Sequence, residues 1–588
     1  MPGPTTGGRL TMADGTSWQV WWEFAKDPLI GFAPSNHGPA TGSDEYYLGM
    51  RRASTAHDIE APTEADRRDR IALVLLQTLR GEKSRDMTTA CLVALAKVGI
   101  DPPGAKLVDV IASYIHENDQ EIRETAVLSL GIAGRVEALD TLAALLDQTA
   151  IGRKLMGNAE VSVRTRSFAA WSLGLLASQA KDVAVKQRVH DLLLPILQHE
   201  AEPSRDLRVA AIQGLGLLSN IGAPVAGELR LIWQTTTELW EYYQRDLGKG
   251  DQLVQSHVPT AVVRLLGRGT STEHQRAKDV LVEELTSARR RHNAIYQSAA
   301  IALGLLCVPS EQSSDDAPSA KALVHYYQHG ADQLARFHSA LALGRIGGAG
   351  NRKALLLIYD DANRTIERPW IALGLGLLAR QEQKANHGLV DQQIGKLLLT
   401  DFIAAEFDDA EAAFALALGL SGYVDAAPAI LGKFVRRGRS DVLEGYLAIA
   451  LALLDHAPAI DPLTERMERT VRRPFVLQQC AVALGRLGDV RAVPRLVALL
   501  AECESTAAFA AVAVGLGNIG DRRSIDVLAN VALDGDRTKM VRAFAAAALG
   551  FVGDKDPIPW NSRIASEINY MATVDTLTNG ATGILDIL

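Results

Sequence analysis

Few residues in this sequence have the types and spacing that chemistry requires. Two His-Glu pairs, His116-Glu117 and His199-Glu200, carry groups that ligate transition metals. A metal centre needs several such groups to converge on one ion, and no H-E-x-x-H sequence brings them together on one helix face. Two isolated pairs fit solvent-exposed helix ends better, so the sequence predicts no metal site.

A glycine pattern at 515–520, GLGNIG, has the G-x-G-x-x-G spacing of a dinucleotide-binding loop. That loop needs a preceding β-strand and a βαβ unit around it. The same frame recurs elsewhere, for example as GLGLLA at 374–379, so the spacing follows from an internal repeat. Walker A and G-x-S-x-G sequences are absent. We therefore predict a non-catalytic protein without a cofactor.

The repeat is centred on Ala-x-Ala-Leu-Gly-x-Leu-Gly, seen at 481–488. With its first Leu as the anchor, 13 copies follow one another at intervals of 32 to 50 residues. The anchors are Leu95, Leu130, Leu173, Leu215, Leu265, Leu303, Leu343, Leu375, Leu418, Leu451, Leu484, Leu516 and Leu549. Gly follows the anchor in 10 of the 13 copies, which predicts close backbone approach between neighbouring helices.

Each repeat predicts two helices. After Leu484, apolar residues recur at helical spacing with Pro494 in the first turn, and Gly488-Asp489 ends the anchor helix. Neither helix can bury its apolar face alone, whereas stacked neighbours can. The sequence therefore predicts an all-α solenoid.

Two segments, DQEIRETAVLSLGIAG at 119–134 and DRTKMVRAFAAAALGFVG at 536–553, carry an Asp, a Val/Ile-Arg pair and Leu-Gly at fixed positions. This pattern resembles the HEAT repeat, and more closely the phycobilisome-lyase-type HEAT-like repeat, over about 85–553. The resemblance implies an α-α superhelix of about 13 helical pairs with the anchor helices on its concave side. It also implies that Arg123, Arg208 and Arg542 have a structural role, bonding to neighbouring inter-helix turns.

The chain divides into three predicted parts. Residues 1–60 form a non-repeat cap with a cluster of Trp18, Trp21 and Trp22, residues 61–553 form the solenoid, and residues 554–588 form a capping tail. We expect the Trp cluster to pack on the first repeat, and the alternative is a partner-binding hot spot. The two ends together resemble those of bacterial HEAT-repeat proteins that have no assigned activity.

Several anchor helices are predicted to be apolar on a second face. Two residues after the anchor, some units carry a polar residue, as at Lys97, Arg345, Arg486 and Asn518. Six others carry leucine, namely Leu175, Leu217, Leu305, Leu377, Leu420 and Leu453. A second apolar face must be covered, either inside a closed ring or by a partner in a concave groove. In the groove interpretation these leucines, with the three tryptophans, bind the partner.

Charge and hydropathy restrict the partners. The formal net charge is −8, and the basic clusters at 289–292, 436–439 and 472–473 stand beside acidic residues, which argues against nucleic acid. No apolar run reaches the length of a membrane span. The N-terminus has no signal-peptide core, which predicts a cytoplasmic protein, or an exported one if the true start lies upstream.

The predicted function is a protein–protein interaction scaffold that holds another protein or a peptide on its concave face. One alternative is an enzyme or enzyme subunit of the bilin-lyase or chaperone-like type, which a cleft residue of strongly perturbed pKa would reveal. A second alternative is a HEAT-like DNA-binding protein. The sequence leaves partner identity, oligomeric state and the choice between open superhelix and closed ring undecided.

Overall fold

The computed structural model describes residues 15–31, 59–198, 204–219, 226–309, 317–363, 365–436, 438–488, 491–503 and 505–587. All 13 anchor leucines lie in helices and are buried, so the prediction of an all-α solenoid of helical pairs is confirmed. The helices that carry them, called the inner helices, are α3 (Arg85–Val98), α5 (Gln120–Ala133), α8 (Val163–Gln179), α10 (Arg205–Gly216), α13 (Val258–Leu266), α15 (Asn293–Leu306), α17 (Gln333–Ile346), α19 (Glu367–Ala385), α21 (Asp408–Ser421), α23 (Asp441–Leu453), α25 (Pro474–Leu487), α27 (Thr506–Ile519) and α29 (Lys539–Val552).

The outer helices cover the inner ones from outside. They are α2 (Leu73–Gly81), α4 (Leu107–Ala112), α6 (Leu139–Leu146), α7 (Ala150–Leu155), α9 (Val183–Gln198), α11 (Ala226–Gln244), α12 (Gln252–Gln255), α14 (Thr272–Thr286), α16 (Ala317–His329), α18 (Ala349–Asp361), α20 (Gln392–Ala404), α22 (Ala427–Phe434), α24 (Ile460–Arg469), α26 (Ala492–Glu502) and α28 (Ile525–Leu533). A π-helical segment, Asp66–Ala72, leads into α2, and two helices outside the repeat are α1 (Trp18–Ile30) and α30 (Ser562–Ala565).

Local signals set the ends of the helices. The Asp119 side chain accepts hydrogen bonds from two backbone N–H groups at the start of α5, and the Ser440 side chain accepts one from the backbone N–H of Leu443 at the start of α23. Gly488 ends α25 in the left-handed conformation, with φ of 71°. These helix ends agree with the repeat boundaries seen in the sequence. The agreement is expected because a helix end depends on a few adjacent residues.

Glycines after the anchors bring neighbouring inner helices into close contact. A Cβ atom added to Gly304 in α15 would lie 2.7 Å from the Cα atom of Ala342 in α17. A Cβ atom added to Gly550 in α29 would lie 2.6 Å from the Cα atom of Ala94 in α3. Glycine at these positions therefore lets the inner helices pack backbone against backbone.

The last inner helix packs on the first, so the solenoid closes into a ring. The Nζ atom of Lys97 in α3 lies 3.2 Å from the centroid of the Phe551 ring in α29, and the backbone N–H of Lys555 donates to the carbonyl of Lys97 at 3.0 Å. Outside them, α28 packs on α2. We call this junction of first and last repeats the seam.

Ion pairs join the outer parts of the seam. Arg70 pairs with Asp526 at 2.6 Å, and Arg542 pairs with Glu82. Backbone groups also join, since the N–H of Arg522 donates to the carbonyl of Glu60 at 2.8 Å. The seam thus has apolar, charged and backbone contacts.

The chain's own ends fill the interior of the ring. Helix α1 packs against α19, α21 and α23, where the Trp21 ring lies 6.3 Å from that of Trp370 and the Trp18 ring lies 5.0 Å from that of Tyr446. The Trp cluster was expected on the first repeat, and its position on these middle and late inner helices corrects that expectation. The tryptophan rings of α1 pack on this surface because the aromatic side chains of Trp370 and Tyr446 lie there.

The C-terminal segment crosses the opposite side of the interior. Lys555 donates to the carbonyl of Ile132 in α5, and Asn569 donates to the carbonyl of Ala294 and to Ser298 in α15. Arg164 in α8 donates to Thr582. The tail therefore covers inner helices of the first half of the ring, while α1 covers those of the second half. Within the described ranges, no helix combines the length and apolarity needed to cross a membrane.

Candidate functional site

The six predicted partner-binding leucines lie on the inner helices or directly at their ends. Five of them are buried, and Leu305 is half-buried. Leu377, Leu420 and Leu453 belong to or end helices α19, α21 and α23, on which α1 packs, whereas Leu175, Leu217 and Leu305 belong to the side where the tail runs. Their contribution to partner binding stays a prediction.

Trp18, Trp21 and Trp22 are all buried, and each residue is at most 5% exposed. The Trp18 Nε1 atom donates to the Asp409 carboxylate at 3.2 Å, and Gln19 donates to the same carboxylate. Phe24, further along α1, stacks on Tyr570 of the tail at 5.3 Å. These aromatic side chains fix the position of α1 inside the ring.

Two arginines of the inner helices hold the C-terminal end of α1. Arg380 donates to the carbonyl of Leu29 at 2.8 Å, and Arg486 donates to the carbonyl of Ile30. Carbonyl groups at a helix C-terminus have no partner within the helix and carry partial negative charge. The ring therefore recognises both the apolar face and the C-terminus of α1.

Between α1, the tail and the inner helices lies a cavity of about 570 Å³, which we call the axial pocket. Its apolar wall includes three of the predicted leucines. The apolar residues are Ala25, Pro28, Leu29, Leu217, Leu305, Leu377, Pro557 and Ile558. Four arginines and one carboxylate also line it, namely Arg264, Arg268, Arg345, Arg563 and Glu567.

Three of these arginines are held in place by the protein. Arg264 is 7% exposed and donates to the Gln213 side chain and to the carbonyl of Ile564. Arg268 donates to the carbonyls of Gly304 and Arg345. Arg563 donates to Ser178 at 3.0 Å and to Asp556 at 2.9 Å.

Arg345 differs because its guanidinium group makes no hydrogen bond or ion pair with the residues that the structure describes. Burial lowers the pKa of Arg345, the negative charge of Glu567 opposes that shift, and the positive charge of Arg268 adds to it. Glu567 also faces Arg264, with 3.7 Å between its Oε2 atom and the Arg264 Nε atom. One carboxylate thus acts on two guanidinium groups, the buried one of Arg264 and the half-buried one of Arg345.

A smaller cavity of about 20 Å³ adjoins the axial pocket and shares Ala25, Arg345 and Ser566 with it. His338 and Tyr570 also line this cavity, and among the described residues the His338 Nε2 atom and the Tyr570 hydroxyl have no hydrogen-bond partner. Burial lowers the pKa of His338 to about 3 and raises that of Tyr570. Both groups are therefore neutral near pH 7.

The three arginines assigned a structural role contact inter-helix links. Arg123 donates to the carbonyl of Glu117 at 3.1 Å, and Arg208 pairs with Asp251 at 2.9 Å. Arg542 donates to the carbonyl of Ala532 at the end of α28 and pairs with Glu82 across the seam.

No group of three or more His, Cys, Asp or Glu residues that could hold a metal ion occurs in the described part of the chain. Of the two His-Glu pairs, His199-Glu200 lies outside the described residues. The basic clusters contain ion pairs, such as Arg291 with Glu284 and Arg473 with Asp441. Arg437 of the second cluster also lies outside the described residues.

The axial pocket could not be predicted from the sequence. Arg345 was visible in the sequence as a polar residue two positions after an anchor leucine, as were Lys97, Arg486 and Asn518. Arg264 and Arg268 belong to a different repeat, and Arg563 and Glu567 belong to the tail. Nothing in the spacing indicates that these residues meet.

Comparisons with known proteins agree with the repeat. Residues 476–502 match the family model of the PBS lyase HEAT-like repeat, which confirms the resemblance found in the sequence. No curated protein matches the chain. The repeat match and the architecture together define a HEAT-like helical solenoid, a class of protein whose extended surfaces suit scaffold and protein-interaction roles.

The solved structures that are similar to this chain include the following three. Human deoxyhypusine hydroxylase in complex with glycerol is 15% identical over 65% of this chain and 95% of that one, with a TM-score of 0.21. Importin beta in an ammonium sulfate condition is 14% identical over 82% and 73%, with a TM-score of 0.35. An engineered protein is 16% identical over 76% and 98%, with a TM-score of 0.27.

Proposed function

We propose that the protein is a non-catalytic scaffold that binds an amphipathic helix of a partner protein on the inner surface of the ring. The observation that carries this proposal is α1, a helix that is not part of the ring wall and lies on that surface. In the proposal, α1 is the chain's own occupant of the site, and the partner's helix binds in its place.

The contacts of α1 support this proposal because they are those of helix-in-groove recognition. Aromatic anchors fill the inner surface, with Trp18 on Tyr446 and Trp21 on Trp370. Arg380 and Arg486 bind the helix's terminal carbonyls, a contact that any helix ending at this point could make. Replacing α1 leaves the contacts between the repeats intact, since α1 contributes no helix to the wall.

The proposal also gives the predicted residues distinct roles. Leu377, Leu420 and Leu453 stand on the helices that contact α1, so they would contact the partner's helix. Trp18, Trp21 and Trp22 would leave the site together with α1. Leu175, Leu217 and Leu305 lie on the tail's side and would bind a partner segment that extends beyond the helix.

The test measures binding of a fluorescent peptide with the sequence of residues 15–31 to the full-length protein. We expect weak binding to the unaltered protein because α1 competes from within the same chain. Trp21→Ala weakens α1, which raises the fraction of free sites and tightens peptide binding at least about tenfold. Trp233→Ala, which removes a tryptophan that is 42% exposed on α11, is the control and leaves binding unchanged.

A second variant tests the ring's side of the interface. Adding Tyr446→Ala to Trp21→Ala removes the aromatic surface under Trp18, and we expect peptide binding to weaken about tenfold or more. If the peptide binds no variant, or if the Tyr446 substitution has no effect on its affinity, the inner surface is not a helix-binding site. If the peptide binds as expected, affinity capture with the Trp21→Ala protein as bait identifies the partner. The Tyr446→Ala protein should not capture that partner.

A further inference from the structure

We infer that the axial pocket binds a small amphipathic anion, whose carboxylate or phosphate group contacts Arg345 and whose apolar stem lies on the leucines of the inner helices. This inference goes beyond the proposed partner binding, since the ligand is a small molecule and its site leaves α1 in place. Pro28 and Leu29 of α1 form part of the wall.

The charges around the pocket do not balance. Four guanidinium groups line it against the single carboxylate of Glu567, and Asp556 outside the lining pairs with Arg563. Lys384 stands nearby, where burial and the positive charges of Arg380 and Arg268 lower its pKa. Of these cations Arg264 is buried, Arg345 and Arg563 are half-buried, and Arg268 and Lys384 are exposed. A cavity lined mainly by positive charge attracts an anion.

Arg345 has the guanidinium group that is free to bind the anion. The other three arginines already donate hydrogen bonds to protein carbonyls and side chains, which fix their positions around the pocket. Arg345 keeps all of its donors available among the described residues while it lines both the axial pocket and the adjoining cavity. A planar guanidinium group matches carboxylate and phosphate groups through two parallel hydrogen bonds.

The apolar residues of the lining favour a ligand with an apolar stem. Leu217, Leu305 and Leu377 come from three inner helices, and Ile558 comes from the tail. A volume of about 570 Å³ lies within the range of sites for small molecules, which are mostly apolar with a few charged groups that set orientation. A purely hydrophilic anion would leave the apolar lining residues in contact with water.

The test uses calorimetric titration of the full-length protein with four probes. Dodecanoate and dodecyl phosphate supply the two candidate head groups on the same stem, dodecanol lacks the charge, and acetate lacks the stem. We expect one or both of the amphipathic anions to bind, and the tighter one identifies the head group. Dodecanol should bind at least about tenfold more weakly, and acetate should show no binding.

Two variants examine the pocket from each side. Arg345→Gln should weaken binding of the anionic probes at least about tenfold while it leaves dodecanol binding unchanged. Leu305→Trp fills the apolar side and should abolish binding of all three twelve-carbon probes. Arg472→Gln removes an exposed arginine and is the matched control.

Equal binding of dodecanol and dodecanoate would overturn the inference, because the pocket would then be an apolar cavity without anion recognition. Failure of both anionic probes to bind, or undiminished binding to Arg345→Gln, would overturn it as well. None of these outcomes affects the peptide-exchange test, since that test follows α1 and Tyr446 rather than the pocket.

Discussion

Two residues of opposite charge at the seam, the buried Lys97 and the half-buried Asp554, respond to pH. Lys97 is 2% exposed, and burial lowers its pKa to about 8. Burial raises the pKa of Asp554 to about 6, although the positive charge of Lys97 acts in the opposite direction. The folded ring therefore takes up a proton at Asp554 at a higher pH than the unfolded chain does.

The predicted consequence is a pH dependence of stability that one substitution removes. Because the folded pKa of Asp554 lies above the usual value of 3.8, its contribution to stability is present at low pH and is lost as pH rises through about 6. Relative to Asp554→Asn, the unaltered protein should lose roughly 2–3 kcal/mol of unfolding free energy between pH 4 and pH 7.5. Urea denaturation at several pH values measures this difference.

The matched control for that experiment is Asp575→Asn, which changes an exposed carboxylate of the tail. It should follow the pH dependence of the unaltered protein. A constant stability difference between Asp554→Asn and the unaltered protein over this range would contradict the assigned pKa shift.

At the scale of the helices, glycine position decides how closely neighbours pack. Gly304→Ala should destabilise the protein by about 1–3 kcal/mol, because the added methyl group meets the backbone of α17 at Ala342. Gly432→Ala, at an exposed position of α22 with no atom within 4 Å of the added Cβ, should instead stabilise it by about 0.5–1 kcal/mol. Chemical denaturation of both variants tests the pair, and destabilisation of equal size in both would contradict close packing of the inner helices.

The helices themselves could be predicted from the sequence because their signals are local. Anchor leucines, capping residues such as Asp119 and stop glycines such as Gly488 act within one turn or one repeat. Closure could not be predicted, since it depends on a small rotation between each pair of neighbours, summed over the entire chain. The position of α1 could not be predicted either, because a Trp-rich helix fits several apolar surfaces and only tertiary contacts choose among them.

The axial pocket could not be predicted from the sequence for a similar reason. Arg264, Arg345 and Arg563 come from two separate repeats and the tail, so their meeting depends on the closed ring and on the path of the tail through it. The sequence shows that position 345 is polar, but the neighbours of Arg345 are determined by the tertiary structure of the ring.

For the whole molecule, closure changes how stability is distributed. In an open solenoid the first and last repeats contact one neighbour each and unfold locally more often. Here α3 and α29 each contact two inner helices, as α15 does. Hydrogen exchange measured by mass spectrometry should therefore show amides of α3 and α29 within about tenfold of the protection of α15.

A variant of the seam provides the comparison. Arg542→Glu places a second negative charge against Glu82, so exchange in α3 and α29 should accelerate while α15 stays protected. Arg472→Glu, an exposed position away from the seam, should leave all three unchanged. Fast exchange of α3 and α29 in the unaltered protein would mean that the ring is open in solution.

A ring whose last unit must meet its first also fixes the number of its units. The rotations at the 13 joints together close the ring, so an inserted duplicate unit would require the other joints to adjust or the seam to open. Open repeat arrays can lengthen or shorten by gene duplication and deletion with little effect elsewhere. A closed ring lacks that freedom, so we expect its units to diverge by substitution and by change in the loops between them.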